Sequence, residues 1–341
     1  MTTYISQRLL SMALSLFGVS VLVFFMVHLI PGDAALTILG ERATAEALAK
    51  LRQQMGLDQP LYRQYGVFLW DLIHLDLGRS FKTNERVVDE ILRYFPATVE
   101  LTVAAMGFSI VFGVSAGILA AVNHGKFWDY STMFGSLAGI SMPIFWLGLM
   151  LILLFAYTFP IFPSSQRLDT LLDANLKIQH RTNFLLIDTL LAGNFAAFRN
   201  AIWHLILPAV TLGTIPLAII ARMTRSSLLE VLNQQYIMTA HAKGLSKSKI
   251  VLKHALKNSV NPVLTVIGLN FGYLLGGAIL TEHIFSWPGL GSWLRAAVEA
   301  RDIRPVQGGV LFVATVFMAV NLIVDLLYIY FDPRIRIGGN T

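Results

Sequence analysis

Six stretches of this chain are long and apolar enough to cross a bilayer, and they constrain its fold more than any motif does. They run approximately over 9–30, 98–122, 132–158, 201–221, 262–281 and 306–330. A membrane helix needs about 20 mostly apolar residues, and each stretch supplies them. The expected fold class is therefore all-α, a polytopic membrane protein with six transmembrane helices. Only 13% of the residues are charged, against about a quarter in a soluble domain. The formal net charge of +6 raises nucleic acid as a partner, but where the charges fall favours membrane lipid and no nucleic acid. With no cysteine, disulfides and thiolate metal sites are excluded.

Arg8 followed by an apolar run resembles a signal peptide, but the run is too long and no small-x-small cleavage site follows. A retained helix over 1–30 is expected, turning at Pro31-Gly32-Asp33. The remaining divisions are an amphipathic segment over 31–97, a five-helix core over 98–330 with a connecting loop at 222–261, and a tail at 331–341. Pro143, Pro208 and Pro216 predict kinks, and Gly107, Gly113, Gly117, Gly135 and Gly139 predict close helix contacts. Six spans put both termini on one side. Arg8, Lys126, Arg222, Arg225, the lysines of 243–257, Arg334 and Arg336 share that side, opposed by Asp129, Glu230 and Asp332. The positive-inside rule makes that side, with both termini, cytoplasmic.

Between the first two spans, Leu48, Leu51 and Met55 form a helical stripe that Gly56 ends. Leu61, Tyr65, Phe68, Leu69 and Leu72 form a second, and Val87, Val88, Ile91 and Leu92 a third, closed by Phe95-Pro96. These predict short amphipathic helices on the outer face.

In the 222–261 loop, Tyr236, Ala240 and Gly244 fall at i, i+4 and i+8, so they share a helix face small enough for a partner's backbone to approach. Gly244 suits a helix stop, and Ser246 can cap a second helix toward Pro262. Lys249, Lys253 and Lys257 form a stripe on that second helix, suited to anionic lipid or to a protein partner. On the outer side, Trp287, Pro288, Gly289, Leu290 and Gly291 make a turn after the fifth span. With Trp293, it reads either as an interfacial aromatic anchor or as a gate that contacts a partner. Intramembrane acids are few. Glu100 and Glu282 fall near outer helix ends, where exposure is expected, and Asp325 nears the cytoplasmic end of the last span. The eight histidines show no metal-binding spacing and are read as structural. No G-x-x-x-x-G-K-[ST] phosphate loop occurs, so any ATP must be bound by another subunit.

The segment TAHAKGL…HALKNSVNPV, from Thr239, closely resembles the TARAKGL…HALRNALLPV loop of the peptide-type permeases among ABC importers. The general form, EAA-x3-G-x9-I-x-L-P, is matched at Ala240, Gly244 and Leu256. Met238, Thr239, His254 and Lys257 depart from it. PGD at 31–33, GLDQPLYRQY at 56–65, LDLGRS at 75–80, FPATVELT at 95–102, TEHIFSWPGLGSWL at 281–294, RDIRPVQGG at 301–309 and DPRIR at 332–336 fit the same family in order, over nearly the whole chain. Leu75 stands where members commonly have Gly. The pattern is nearest to the first-subunit type of the dipeptide branch.

The resemblance implies the type I ABC importer permease fold and import of dipeptides or oligopeptides. Implied partners are a second homologous permease, two ATPases that hold ATP and magnesium, and a periplasmic or lipid-anchored binding protein. Tyr236, Ala240, Lys243, Gly244 and Leu245 would meet an ATPase. No catalytic residue, metal or cofactor is expected in this chain. Nickel or haem import is a related alternative. An ion-coupled secondary transporter predicts paired intramembrane acids and inverted repeats, and an intramembrane enzyme predicts a nucleophile–base pair or metal ligands, none of which is found.

Overall fold

The computed structural model describes residues 2–29, 35–36, 40, 43–54, 56–170, 172, 181–276 and 278–331. Met55, the turn at 31–33 and the tail from 332 lie outside them. Among the described residues there is no β-strand; Arg79 and Arg86 form an isolated bridge. Four helices are long and apolar enough to cross a membrane: α1 (Thr2–Leu29), α4 (Val87–Val122), α8 (Phe195–Leu232) and α13 (Ile303–Phe331). A fifth candidate is a bent pair, α5 (Phe127–Ser141) and α6 (Ile144–Ile152), which a π-helical turn extends to Thr158.

The third predicted span is thus broken, with a 102° bend. Met142 is extended (φ −81, ψ 128), as the residue before a proline prefers, and Pro143 starts the new helix without an N–H to continue the old one.

Between α1 and α4 lie α2 (Ala45–Gln54) and α3 (Leu61–Ile73). Thr44 caps α2 by accepting the Ala47 N–H, and Gly56 follows it at φ +66. The third expected amphipathic helix does not exist separately. Its residues open α4, which runs through Pro96 for 36 residues and crosses the 97/98 boundary. Pro96 frees the Leu92 carbonyl, and the Asn183 side-chain amide reaches it at 3.4 Å. That contact, far off in sequence, gives the freed carbonyl a partner.

The bundle is organised around α4 and α8. A Cβ on Gly113 would lie 2.8 Å from the Leu217 carbonyl oxygen, and one on Gly117 would lie 2.5 Å from Thr224, so the backbones approach closely there. No atom lies near the Cβ positions of Gly107 and Gly135. The central core joins Leu101 and Ala105 of α4 to Leu205, Leu212 and Ile220 of α8. The 222–261 loop is shorter than expected. α8 persists to Leu232, and after α9 (Gln235–Ala242) a turn at Lys247–Lys249 and a π-helical turn at Ile250–Ala255 lead directly into α10 (Leu256–Leu275). α10 is not among the four clear spans, because Lys257, Asn258, Asn261 and Asn270 interrupt its apolar run. The predicted fifth span is displaced accordingly. It stops at Leu275, and α11 (Ile279–Ile284) is a separate short helix before α12 (Leu290–Glu299). α7 (Leu185–Leu191) precedes α8. α1 rests on α13, where Arg8 pairs with Asp325 at 3.2 Å and gives that intramembrane acid a protein partner.

Candidate functional site

Two assemblies stand at opposite ends of α10. The first is built on α9. Ile237 is 1% exposed and anchors α9 in a cluster with Ala121 of α4, Leu228 of α8, and Ile250 and Ala255 of the π-helical turn. Gly244, at φ +75, ends the helix. Its N–H reaches the His241 carbonyl (2.9 Å) and the Leu245 N–H reaches that of Ala240 (3.3 Å). This is a Schellman stop, which satisfies carbonyls that the helix end leaves open. Ser246 occupies the next N-cap position without a side-chain cap bond.

Tyr236 is half-exposed and accepts a 2.9 Å hydrogen bond from the Asn258 amide, tying α9 to α10. Ala240 and Leu245 instead pack against the Ile237 cluster. The surface that α9 offers is therefore Met238 (59% exposed), Thr239, Ala242, Lys243 and Gly244, not a stripe through Ala240. Lys247, Lys249, Lys253 and Lys257 are exposed beside it. Nearby, buried Asp129 binds Arg225 (Nη2, 2.8 Å), the Gly125 N–H (3.0 Å) and His124 (3.0 Å). This network fixes the α4–α5 turn to α8. α9 is thus packed in one cluster with residues of α4, α8 and the π-helical turn, and is tied to α10 by the Tyr236–Asn258 bond.

The second assembly is the turn between α11 and α12, and here two expectations fail. Trp287 (2% exposed) and Trp293 are buried rather than interfacial. Glu282 (0% exposed) and Glu100 are buried as well. The Glu282 carboxyl accepts from the Thr98 hydroxyl (2.7 Å), the Ser292 N–H (2.7 Å) and the Gly291 N–H. Among the described residues no cation pairs with it. Burial pushes this carboxyl above its usual range, against the lowering effect of the three donors, the Thr98 hydroxyl first. The Thr98 hydroxyl also accepts the Leu290 N–H (2.8 Å), and the Trp287 indole donates to the Ala97 carbonyl (2.9 Å). Gly289 and Gly291 wrap the carboxyl so closely that a Cβ on Gly289 would lie 2.3 Å from its Oε1. Glu100 pairs with Arg167 and accepts the Leu186 N–H (2.8 Å), and the Arg167 guanidinium lies 5.7 Å from the Trp287 ring. Of the five turn residues singled out in the sequence, Pro288 alone is exposed.

Thr98, Arg167 and Ser292 were not singled out in the sequence. Thr98 and Ser292 lie inside two segments noted there, FPATVELT and TEHIFSWPGLGSWL, but the contact that makes them partners is three-dimensional. Among the described residues, no three His, Asp or Glu side chains gather where they could hold a metal ion.

Residues 113–337 match the family described as "Binding-protein-dependent transport system inner membrane component", and residues 1–102 match the N-terminal model for the membrane component of such systems. The chain is 49% identical to the dipeptide transport system permease protein DppB of Alkalihalophilus pseudofirmus, over 98% of this chain and 100% of that one. It is 50% identical to the di/tripeptide transport system permease protein DppB of Pseudomonas aeruginosa, over 98% and 99%. It is 40% identical to the glutathione transport system permease protein GsiC of Escherichia coli, over 98% and 99%.

Proposed function

Because this chain belongs to the family of binding-protein-dependent transport system inner membrane components, we propose that it is a permease subunit of an ATP-driven importer of dipeptides. The observation that carries the mechanism is α9, a short helix stopped by Gly244, with one face packed in a cluster with α4, α8 and the π-helical turn and the other exposed. An ATPase seated on Met238, Thr239, Ala242 and Lys243 moves this helix when it binds and hydrolyses ATP. The bundle responds as a two-state body, biased by nucleotide at one end and by the loaded binding protein at the other.

In this reading six spans cross the membrane: α1, α4, the bent α5–α6 pair, α8, α10 and α13, with α2 and α3 against the outer face and both termini cytoplasmic. A second permease completes the pathway, two ATPases hold ATP and magnesium, and a periplasmic or lipid-anchored protein delivers the peptide. The turn at 286–291, clasped around Glu282, is the outer gate element, and Pro288 is its exposed contact. This chain contributes no catalytic group.

The test is uptake of a labelled dipeptide into proteoliposomes holding the assembled importer, with and without binding protein and ATP. Uptake that needs both, and ceases when this subunit is left out, is the expected result. Dipeptide uptake that persists without this subunit would falsify the assignment.

A further inference from the structure

A cavity of about 580 Å³ opens between α1, α2, α3, the loop at 76–81 and the start of α13. Its size is ordinary for a small-molecule site. It lies against α1 and α13, apart from both the α9 surface and the Glu282 turn. Phe24 and Phe68 give it an apolar floor. Two carboxylates and two guanidiniums line it: Asp71, Asp76, Arg79 and Arg304.

These charges are only loosely satisfied by each other. Arg304 and Asp71 meet at 3.4 Å with both side chains about a third exposed. Arg79 is exposed and donates from one Nη1 to the Asn84 carbonyl (3.1 Å). Gly78 is at φ +79, and a Cβ there would lie 3.1 Å from Arg304 Cδ, so its absence leaves room for the arginine. A neutral amide, Gln307, also lines the cavity. It is 5% exposed and lines it beside Arg304.

We infer that this cavity binds a small zwitterion, an ammonium and an anionic group joined by a short apolar body, with the guanidiniums of Arg79 and Arg304 taking the anion and the carboxylates of Asp71 and Asp76 taking the ammonium. A net-neutral set of both signs selects against ligands of one charge, because either would leave two like charges uncompensated. The Gln307 amide, on the same lining as Phe24 and Phe68, offers a further hydrogen bond. Two sources carry this chemistry: a free short peptide, and the headgroup of phosphatidylethanolamine.

The experiment uses the full chain in nanodiscs of phosphatidylglycerol, without binding protein or nucleotide. Binding of alanyl-phenylalanine is measured beside its N-acetyl and C-amide forms, on wild type, Arg79→Gln and Gln307→Met. The first substitution is at an exposed side chain and the second keeps an unbranched shape, so the fold is expected to survive, and thermal unfolding checks this. A free-peptide site shows binding that weakens about tenfold or more in each blocked form and in each variant. A headgroup site shows no peptide binding, but phosphatidylethanolamine co-purifies with wild type and is lost in both variants. Peptide binding that is unchanged in both variants lies elsewhere in the protein and overturns the inference. So does the absence of both ligands. None of these outcomes depends on transport, so they are separable from failure of the importer reading.

Discussion

Glu282, Glu100 and Asp325 are acids on largely apolar helical segments, and they are satisfied in two different ways. Asp325 takes Arg8 from α1, and Glu100 takes Arg167. Glu282 has neutral donors alone. Replacing it with Leu strands the Thr98 hydroxyl and two N–H groups, each costing about 1–3 kcal/mol when buried unpaired. Glu282→Leu is therefore expected to lower the unfolding temperature clearly, and Glu282→Gln, which keeps one acceptor oxygen, to lower it less. Equal unfolding temperatures for Glu282→Leu and wild type would show that the turn is not held this way. Gly289 gives a sharper check. Its φ of −100 suits any residue, so Gly289→Ala acts only by pushing a methyl into the carboxyl. It should destabilise the wild-type background but have much less effect when Glu282 is already Ala, a non-additivity that a double-mutant cycle reads directly. Simple additivity would remove the steric account. None of this was legible from the chain alone. Glu282 sits beside a predicted helix end, which suggests exposure, whereas its partner Thr98 is 184 residues away.

At the scale of elements, local signals read well where the cause is local. The Gly244 stop follows from residue type and is present, and Ser246 stands at the next N-cap position, though without the side-chain bond that its residue type predicts. Which face of α9 turns inward was not legible, because a short helix has the same periodicity toward its own bundle as toward a partner. Ala240 belongs to the inner face. Helix length was misjudged for a similar reason. Arg222 and Arg225 mark a membrane boundary by charge, yet α8 continues to Leu232, with Arg225 held by Asp129. The inward turn of Ala240 shifts the test of docking to other residues. Ala242→Trp and Met238→Arg place bulk or charge on the bare face and should sharply reduce ATPase co-purification with little change in unfolding temperature. Ile237→Ala removes the anchor and should cost about 2–5 kcal/mol in stability. Gly244→Ala meets no atom, so its penalty is the left-handed backbone, about 1–2 kcal/mol, with partial loss of coupling. If Ala242→Trp copurifies ATPase normally, α9 is not the seat.

For the whole molecule, the number of crossings depends on α10. Its hydropathy is diluted by asparagines, so composition alone leaves it below the four clear spans. Two of these asparagines bond back to their own helix: Asn270 donates to the Val266 carbonyl (2.7 Å) and Asn258 to that of His254 (2.9 Å). A side-chain amide engaged in this way leaves less polar surface for lipid or a neighbouring helix to cover. Twenty residues of helix extend about 30 Å, the thickness of the hydrocarbon core. α10 therefore has the length to carry the chain from α9 on one side to the Glu282 turn on the other. The natural absence of cysteine makes this measurable. Ser248→Cys and His283→Cys each introduce one thiol at an exposed position on either side of α10. In spheroplasts an impermeant maleimide is expected to label His283→Cys directly, and Ser248→Cys only after permeabilisation. Labelling of both from outside would mean that α10 does not cross. The α9 surface would then face away from any cytoplasmic ATPase, and the importer mechanism would lose its point of drive.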